Sequence, residues 1–189
     1  DTFRIIASAN IHGEIDPCGW KKKPTGGLAR RGTVIDQFKD EIDSYYIADA
    51  GNLLFKKDSL EPGISKEIAL INANIILESF NKMGCHAFSL GQKDFSAGLS
   101  FVLEASESID FPFISSNIYG LDGELLFDPY VIYETNGLQV AFVGLSSVFQ
   151  SEGIQVKDPI ESLKFTLEDI IPKTDIRILL FSSNNQDMQ

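Results

Sequence analysis

The chain has 189 residues, a hydrophobic content of 43% and a mean hydropathy close to zero, which suits one globular domain with a substantial core. No apolar run is long enough to span a membrane. The net charge of −11 is unfavourable for binding nucleic acid, anionic membrane surfaces and, without metal ions, phosphate esters. We therefore expect a single domain over residues 1–189 with no nucleic-acid partner and no membrane span.

The predicted elements alternate between strands and helices from the start of the chain. A buried strand around Ile5–Ala9 runs into the polar turn Asn10–Gly13, and a second strand covers Tyr45–Ala48. The helix between them begins after Gly26–Gly27 and is amphipathic. Its predicted inner face consists of Leu28, Ile35, Phe38 and Ile42.

A longer helix is predicted from Ser65, a candidate N-cap, to Met83. Two further strands follow over His86–Leu90 and Pro112–Ser116, with a short helix over Leu99–Ser108 between them. The predicted inner face of the longer helix consists of Ile68, Ile71, Ile75 and Met83.

The last third of the chain adds a hairpin, a helix and a strand. Asn136-Gly137 separates two apolar runs, which is a strong hairpin signal. Asp158 is placed to cap a helix with an apolar stripe, and Ile176–Phe181 is the last strand. The arms of the hairpin are Tyr130–Glu134 and Leu138–Leu145, and the helical stripe is Ile160, Leu163, Leu167 and Ile170. Alternating strands and helices with one hairpin predict an α/β fold with mixed sheets layered with helices.

Two cysteines leave the redox state open. Cys85 precedes an apolar strand and is expected to be a small buried residue, whereas Cys18 lies in a turn-rich loop. Their pairing cannot be read from sequence. The apolar run Leu53–Phe55 is predicted to belong to the core.

Polar residues in short glycine-containing turns follow four of the predicted strands. In open α/β sheets, ligands collect outside the carboxyl ends of the strands, so these turns are the candidate site. Taken singly, each turn is ordinary chain punctuation. The residues are Asn10 and His12, then Asp49 and Asn52, then Gln92, Lys93 and Asp94, and finally Asn117.

As an ordered set, these turns resemble the catalytic domain of the calcineurin-like metallophosphoesterases, on the branch of the periplasmic 5'-nucleotidases. The family's first strand ends in Asn-Asp-x-His-Gly, where this chain has Ala9–Gly13. The family's Gly-Gly-Leu-Ala-Arg-Arg is matched completely by Gly26–Arg31. Asp49–Asn52 stands for Asp-Ala-Gly-Asp, Gly91–Ser96 for Gly-Asn-His-Glu-Phe-Asp, and Ser115–Ile118 for Ser-Ala-Asn-Ile.

The resemblance implies an αββα sandwich, and in the family this fold holds two divalent metals. Only His12 keeps the residue type of a family ligand. Asn10 and Asn52 stand where the family has aspartates, Gln92 replaces an asparagine, and Lys93 replaces the catalytic histidine. The family's later His-containing segment has no counterpart in these residues, and if it is missing we expect an incomplete sandwich with one sheet edge or face exposed.

These departures predict a site that has lost its metals. Hard divalent cations prefer charged oxygen ligands, and an amide oxygen is a weak substitute. We expect no metal cofactor at the degenerate positions Asn10, His12, Asn52 and Gln92. No catalytic residue is expected either, although Lys93 and Asp94 occupy the catalytic positions.

The predicted function is therefore that of a degenerate 5'-nucleotidase-like domain, a pseudoenzyme that acts as a binding or structural module. The resemblance implies an extracytoplasmic location, periplasmic or at the cell surface, and protein partners in a larger assembly. A divergent metal-dependent phosphoesterase with an altered metal site stays open as the alternative. His12 is either a surviving ligand or a hydrogen-bonded turn residue. Two hypotheses stay open for Lys93. It binds an anion together with Asn117, or it forms an internal ion pair with Asp94 or Asp49.

Overall fold

A computed structural model of the protein describes residues 3–18, 25–41 and 44–183. Ile42, predicted to face the core, lies outside these ranges. Within them the strands are β1 (Arg4–Ser8), β2 (Tyr45–Asp49), β3 (Ala87–Ser89), β4 (Phe113–Ile114), β5 (Ile118–Gly120), β6 (Tyr130–Thr135), β7 (Leu138–Ser146), β8 (Ile154–Val156) and β9 (Ile176–Ser182). The α-helices are α1 (Leu28–Glu41), α2 (Ile64–Met83), α3 (Leu99–Ser108) and α4 (Pro159–Ile170), with 3₁₀ turns at Gln92–Phe95 and Ile171–Lys173.

The strands form two main sheets. In the first sheet, β1, β2, β3 and β4 lie side by side and parallel. In the second, the antiparallel hairpin of β6 and β7 carries β9, which runs parallel to β7. A small antiparallel pair of β5 and β8 lies apart from both. Because β1 to β4 are parallel, their carboxyl ends meet at one edge of the first sheet, where the candidate site is expected.

The layers follow from which faces are apolar. Helices α1, α2 and α3 cover one face of the first sheet, and the second sheet packs on the other. Helix α4 covers the far face of the second sheet. The four-layer αββα arrangement confirms the predicted mixed α/β fold. The buried residues between the two sheets are Tyr46, Ala48, Ala87, Ile114, Val140, Phe142 and Leu180.

Two local predictions are confirmed at the level of hydrogen bonds and backbone angles. Asn136 and Gly137 both adopt positive φ, at 51° and 76°, which gives the hairpin a turn that matches the strand twist. The carboxylate of Asp158 accepts the backbone N–H of Glu161 at 2.9 Å and caps α4. The predicted core residues Leu53–Phe55 are buried.

Three of the four residues predicted for the inner face of α2 are not buried, whereas Met83 is buried as predicted. Ile68, Ile71 and Ile75 are 52%, 57% and 42% exposed. Besides Met83, the buried residues of α2 are Ala73, Ile76, Leu77 and Phe80. The helix carries two apolar faces, each at helical spacing, and periodicity cannot tell which of them meets the sheet.

Other burial and capping predictions fail for related reasons. The strand β1, expected to be buried, pairs only with β2 in the described residues and leaves Ile5 40% exposed. Phe38 and Ile160 are also exposed, although both fall on helical stripes. Helix α2 begins after Gly63 without a side-chain cap, so Ser65 is not its N-cap.

Cys85 is buried, as predicted, and Cys18 is exposed. Both thiols are free, which decides the pairing that the sequence leaves open. Burial raises the pKa of the Cys85 thiol to about 12. None of the described helices is long and apolar enough to cross a membrane.

The two faces of α2 give a direct test of the fold. We expect Ile76→Ala to lower the free energy of unfolding by about 2–5 kcal/mol, because it leaves a cavity at a fully buried position. The matched change Ile71→Ala removes an exposed side chain and should cost less than about 0.5 kcal/mol. Denaturant unfolding of the two variants measures the difference. Equal losses would place the exposed isoleucines in the core and contradict this packing.

Candidate functional site

The turns that follow β1 and β2 are joined by backbone hydrogen bonds. The N–H of Asn10 donates to the carbonyl of Gly51, and the N–H of His12 donates to the carbonyl of Asn52, both at 2.9 Å. Asn10, His12 and Asn52 have positive φ angles of 55°, 57° and 53°. Asparagine and histidine tolerate this left-handed region better than most residues, so the turns suit their sequence.

The turn after β3 is tied to the second turn by the carboxylate of Asp94, which is fully buried. Its Oδ2 accepts the backbone N–H groups of Asn52 (2.9 Å) and Gly91 (2.8 Å), and its Oδ1 accepts that of Leu54 (2.9 Å). Burial raises the pKa of this carboxyl to about 6, while the backbone N–H groups act in the opposite direction. The sequence-predicted turns therefore converge, with Asp94 as the link between them.

A second buried carboxyl, Asp49, lies at the end of β2. It accepts the hydroxyl of Ser8 and, at 2.9 Å, the N–H of Gly51. Burial raises the pKa of Asp49 to about 7, and the positive charge of Arg31 opposes this rise. Arg31 comes from the Gly-Gly-Leu-Ala-Arg-Arg motif and stacks on the ring of Phe80, with its Cζ 4.8 Å from the centroid.

At the centre of the site, two amide side chains bond to each other. Asn52 donates from Nδ2 to Oδ1 of Asn10 at 3.0 Å. The Oδ1 of Asn52 accepts the backbone N–H of Lys93 at 3.0 Å. That N–H fixes the orientation of the Asn52 amide, because only an oxygen can face it. The amide hydrogen of Asn52 therefore has to point toward Asn10.

The bond between Asn10 and Asn52 involves the two positions at which the family that the sequence resembles has aspartates. Two carboxylates so placed would put negatively charged oxygens face to face. At about 4 Å and an effective dielectric constant of about 20, two unit charges repel by roughly 4 kcal/mol, so such a pair needs a cation or a shared proton between its members. Two amides need none, because one donates to the other.

His12 lies beside this pair, half-buried, at one wall of a cavity of about 210 Å³. Burial lowers the pKa of its imidazole, and the positive charge of Lys93 lowers it further. An exposed ion pair between Lys56 and Glu14, at 2.8 Å, also lines the cavity. The side chain of His12 forms no hydrogen bond within the described residues. Backbone hydrogen bonds therefore hold this turn in its conformation.

The internal ion pair predicted for Lys93 is wrong. Its ammonium group forms no ion pair within residues 3–18, 25–41 and 44–183. The carboxylates of Asp94 and Asp49 are both occupied by backbone or hydroxyl donors. Gln92, its neighbour, is half-buried, and its side-chain amide has no hydrogen-bond partner in the same ranges.

Asn117 does not face an open surface, and its side-chain amide is already hydrogen-bonded within the protein. It is fully buried and donates both amide hydrogens, to the carbonyls of Ser146 (2.7 Å) and Lys157 (3.0 Å). Its Oδ1 accepts the N–H of Ser146 at 3.1 Å. This arrangement leaves no amide hydrogen for an anion, so Asn117 is withdrawn from the predicted anion site, which then rests on Lys93.

Ser182, at the end of β9, has a structural role that the sequence reasoning missed. A Cβ on Gly51 would lie 2.7 Å from the Ser182 side chain, and a Cβ on Gly91 would also collide with it. The Ser182 carbonyl accepts the N–H of Ser147 at 2.9 Å. The two glycines thus let the second sheet reach the site, and their position in both turns was the available signal.

No group of three or more His, Cys, Asp or Glu side chains in the described part of the chain is placed to hold a metal ion. The side chains of Asn10, His12, Asn52, Gln92 and Lys93 offer no negative charge, and the nearby carboxyls of Asp49 and Asp94 already accept hydroxyl or backbone donors. Such a set is rich in hydrogen-bond donors, whereas hard divalent cations need negatively charged oxygen.

Comparison with known proteins shows which proteins this chain is related to. No protein-family model matches the sequence. A 5'-nucleotidase from Vibrio cholerae is 30% identical over 157 residues, which are 78% of this chain and 28% of that protein. The chain spans less than a third of the length of the curated relatives that it matches first.

Solved structures agree on the fold. A 5'-nucleotidase precursor from Thermus thermophilus superposes with a TM-score of 0.80 at 19% identity, over 97% of this chain and 38% of that one. The calcineurin-like phosphoesterase YfkN from Bacillus subtilis gives a TM-score of 0.75 at 23% identity, over 94% and 60%. The fold is therefore that of the calcineurin-like metallophosphoesterases. Within that class, the chain is a homologue of the 5'-nucleotidases.

The amide pair predicts strong non-additivity between positions 10 and 52. Asn10→Asp or Asn52→Asp alone should change the free energy of unfolding by about 1 kcal/mol or less, because the remaining amide still donates to the new carboxylate. The free energy of unfolding of the double variant should fall by about 1–3 kcal/mol more than the sum of the two single effects. Mn²⁺ should restore this lost stability.

Denaturant unfolding in a chelator at pH 8, and then with Mn²⁺, measures these terms. The matched control pairs Asn10→Asp with Asn74→Asp on the exposed surface of α2, where the effects should add. Additive effects at positions 10 and 52 would show that the two side chains do not bond.

The buried carboxyl of Asp49 predicts a pH dependence. Its folded-state pKa of about 7 lies above the value of 3.8 for a free carboxyl, so the folded protein binds the proton more tightly. This contribution to stability is present below about pH 4 and is lost as the pH rises to about 7. Asp49→Asn keeps the site neutral, so it should gain stability relative to the wild type across this window, by up to about 4 kcal/mol.

Unfolding free energies of both proteins at pH 4, 6 and 8 test this expectation. The exposed Asp128→Asn is the control and should leave the pH profile of the wild type unchanged. A difference between Asp49→Asn and wild type that is constant with pH would contradict the buried, protonated state of Asp49.

Proposed function

We propose that this 5'-nucleotidase-like domain does not carry out metal-dependent phosphoester hydrolysis and serves as a binding module. The observation that carries the proposal is the direct bond between Asn10 and Asn52. In the related enzymes, these positions hold negatively charged metal ligands. Here they satisfy each other and have no negative charge to offer a cation.

The neighbouring residues support the same proposal. Lys93 adds a positive charge where a catalytic histidine stands in the family, and a cation is repelled by it. Of the family's ligands, His12 alone keeps its residue type, and one imidazole does not hold two divalent cations. These donors do not fit a binuclear metal site, so we derive no hydrolytic step through metal ions.

We further propose that the domain binds protein partners in an extracytoplasmic assembly, in the periplasm or at the cell surface. The relationship to the 5'-nucleotidases supports this proposed location. Large apolar side chains left exposed on α2, such as Ile68 and Ile71, support the existence of a partner, because exposed apolar surface of this kind favours association.

Metal content and hydrolysis test the central proposal. Protein purified without a chelator should contain divalent metal well below one equivalent per chain in elemental analysis. It should release no phosphate from 5'-AMP above the protein-free blank, with or without Mn²⁺, while a 5'-nucleotidase assayed in parallel is active. Asn10→Asp/Asn52→Asp should take up more metal than the wild type, because the carboxylates restore negative ligands.

One outcome of this assay would contradict the proposal. Phosphate release that requires Mn²⁺ and disappears in His12→Ala would show a divergent metal-dependent phosphoesterase. In that case His12 is a ligand, and the amide pair opens when metal binds.

A further inference from the structure

Helix α2 presents its second apolar face to solvent, on the side opposite to the face that packs on the first sheet. Ala73, Ile76 and Phe80 are buried on the packed side. The solvent side consists of four isoleucines that are 42–75% exposed, so no element of the described residues covers them. We call this face the isoleucine stripe, and its members are Ile64, Ile68, Ile71 and Ile75.

The spacing of the isoleucine stripe is that of a seam between two helices. Its members are successively four, three and four residues apart, which is the alternation of a and d positions in a heptad repeat. When two such helices pack antiparallel, each a position meets a d position of the other helix. Ile68 then meets Ile71 of a second copy, and Ile64 meets its Ile75. The stripe is therefore complementary to itself across a two-fold axis.

The area of the isoleucine stripe suits the centre of a small interface. Its members together leave exposed slightly more than the surface of two complete isoleucines, about 400 Å² of apolar area per copy. A specific interface buries about 800 Å² per partner, of which somewhat more than half is apolar. The stripe alone thus supplies most of the apolar area that a dimer interface of standard size requires.

The charges beside the isoleucine stripe favour an antiparallel second copy. The net charge of −11 opposes self-association in general, so a contact between copies needs a surface poor in negative charge. One flank of the stripe carries only the uncharged residues Ser65, Asn72 and Ser79. Antiparallel pairing also brings the exposed Glu78 to the N-terminus of α2 in the other copy, which has no side-chain cap. A carboxylate is stabilised at such a position by the free N–H groups and the helix dipole.

We propose that the isoleucine stripe is the interface of a two-fold symmetric homodimer, in which α2 of one copy packs antiparallel on α2 of the other. This inference rests on the proposed function in one respect, since it names a partner for the binding module. A parallel pair is disfavoured, because it would set Glu67 and Glu78 beside the same residues of the other copy and would align the two helix dipoles.

Sedimentation velocity over a range of concentrations tests the proposal. The wild type should change from monomer to dimer as its concentration rises through the micromolar range. Ile68→Glu/Ile71→Glu should need at least about a hundredfold higher concentration, because its dimer would bury unpaired carboxylates. The control Phe165→Glu replaces a 76% exposed residue of α4 and should dimerise like the wild type. Unfolding of Ile71→Ala compares monomers when it is measured at submicromolar concentration.

A complementary variant guards against loss of the dimer through misfolding. Ile68→Lys/Ile71→Lys should also be monomeric by itself. Mixed in equal amounts with Ile68→Glu/Ile71→Glu, it should form a heterodimer, because each carboxylate then faces an ammonium group of the other copy. A mixture that stays monomeric would overturn the stripe as the interface.

Engineered cysteines test the orientation of the two helices. The background is Cys18→Ser, because Cys18 is exposed. Oxidation of a mixture of Ile64→Cys and Ile75→Cys proteins should give a disulfide between copies, and Ile64→Cys alone should give none. Crosslinking of Ile64→Cys with itself would show parallel helices and overturn the antiparallel interface.

Failure of this proposal is distinguishable from failure of the proposed loss of hydrolysis. A wild type that is monomeric at every concentration would overturn the homodimer, leave the stripe to a different partner and leave the loss of hydrolysis intact. Dimerisation of Ile68→Glu/Ile71→Glu at wild-type concentrations would overturn the stripe as the interface. Phosphate release from 5'-AMP that requires Mn²⁺, by a chain that dimerises through the stripe, would overturn the loss of hydrolysis alone.

Discussion

The site depends on one buried carboxylate. Asp94 accepts the N–H groups of Asn52, Leu54 and Gly91, and in this way it holds two turns from different strands in a fixed relation. A buried ionised group is stable only when its lone pairs are used, and here backbone donors use them. The positions of Asn10, Asn52 and Lys93 therefore rest on hydrogen bonds within the protein, and no metal ion is needed to assemble them.

This separation of framework and chemistry means that the fold can be kept while the side chains of the site change. The framework consists of parallel strand ends, the Asp94 contacts and two glycines that admit Ser182. The chemistry lies in side chains that project from it. Replacing acids by amides at positions 10 and 52 changes charge but hardly changes size, so the same turns accept either set. The direct bond between Asn10 and Asn52 then takes over the role that charge balance has in a metal site.

The sequence predicted most of the fold, because the relevant signals are local: the alternating apolar patterns, Asn136-Gly137 at the hairpin and Asp158 at the start of α4. It also predicted which turns meet, although that step relied on resemblance. It was wrong about the inner face of α2, since Ile71 and Ile76 satisfy helical spacing equally well and only packing against the sheet separates them. The sequence also did not reveal that Lys93 lacks an ion-pair partner in the described residues. It does not show that backbone N–H groups already occupy the neighbouring carboxylate.

The left-handed backbone at Asn10, His12 and Asn52 has a consequence for how this protein can change. A residue substituted at these positions must first be able to adopt the left-handed backbone conformation, whatever its charge. Asparagine, aspartate, histidine and glycine tolerate this backbone conformation, whereas β-branched residues are strained by it. Exchange between amide and acid at Asn10 or Asn52 therefore leaves the backbone of both turns unstrained, whereas most other substitutions there would strain it.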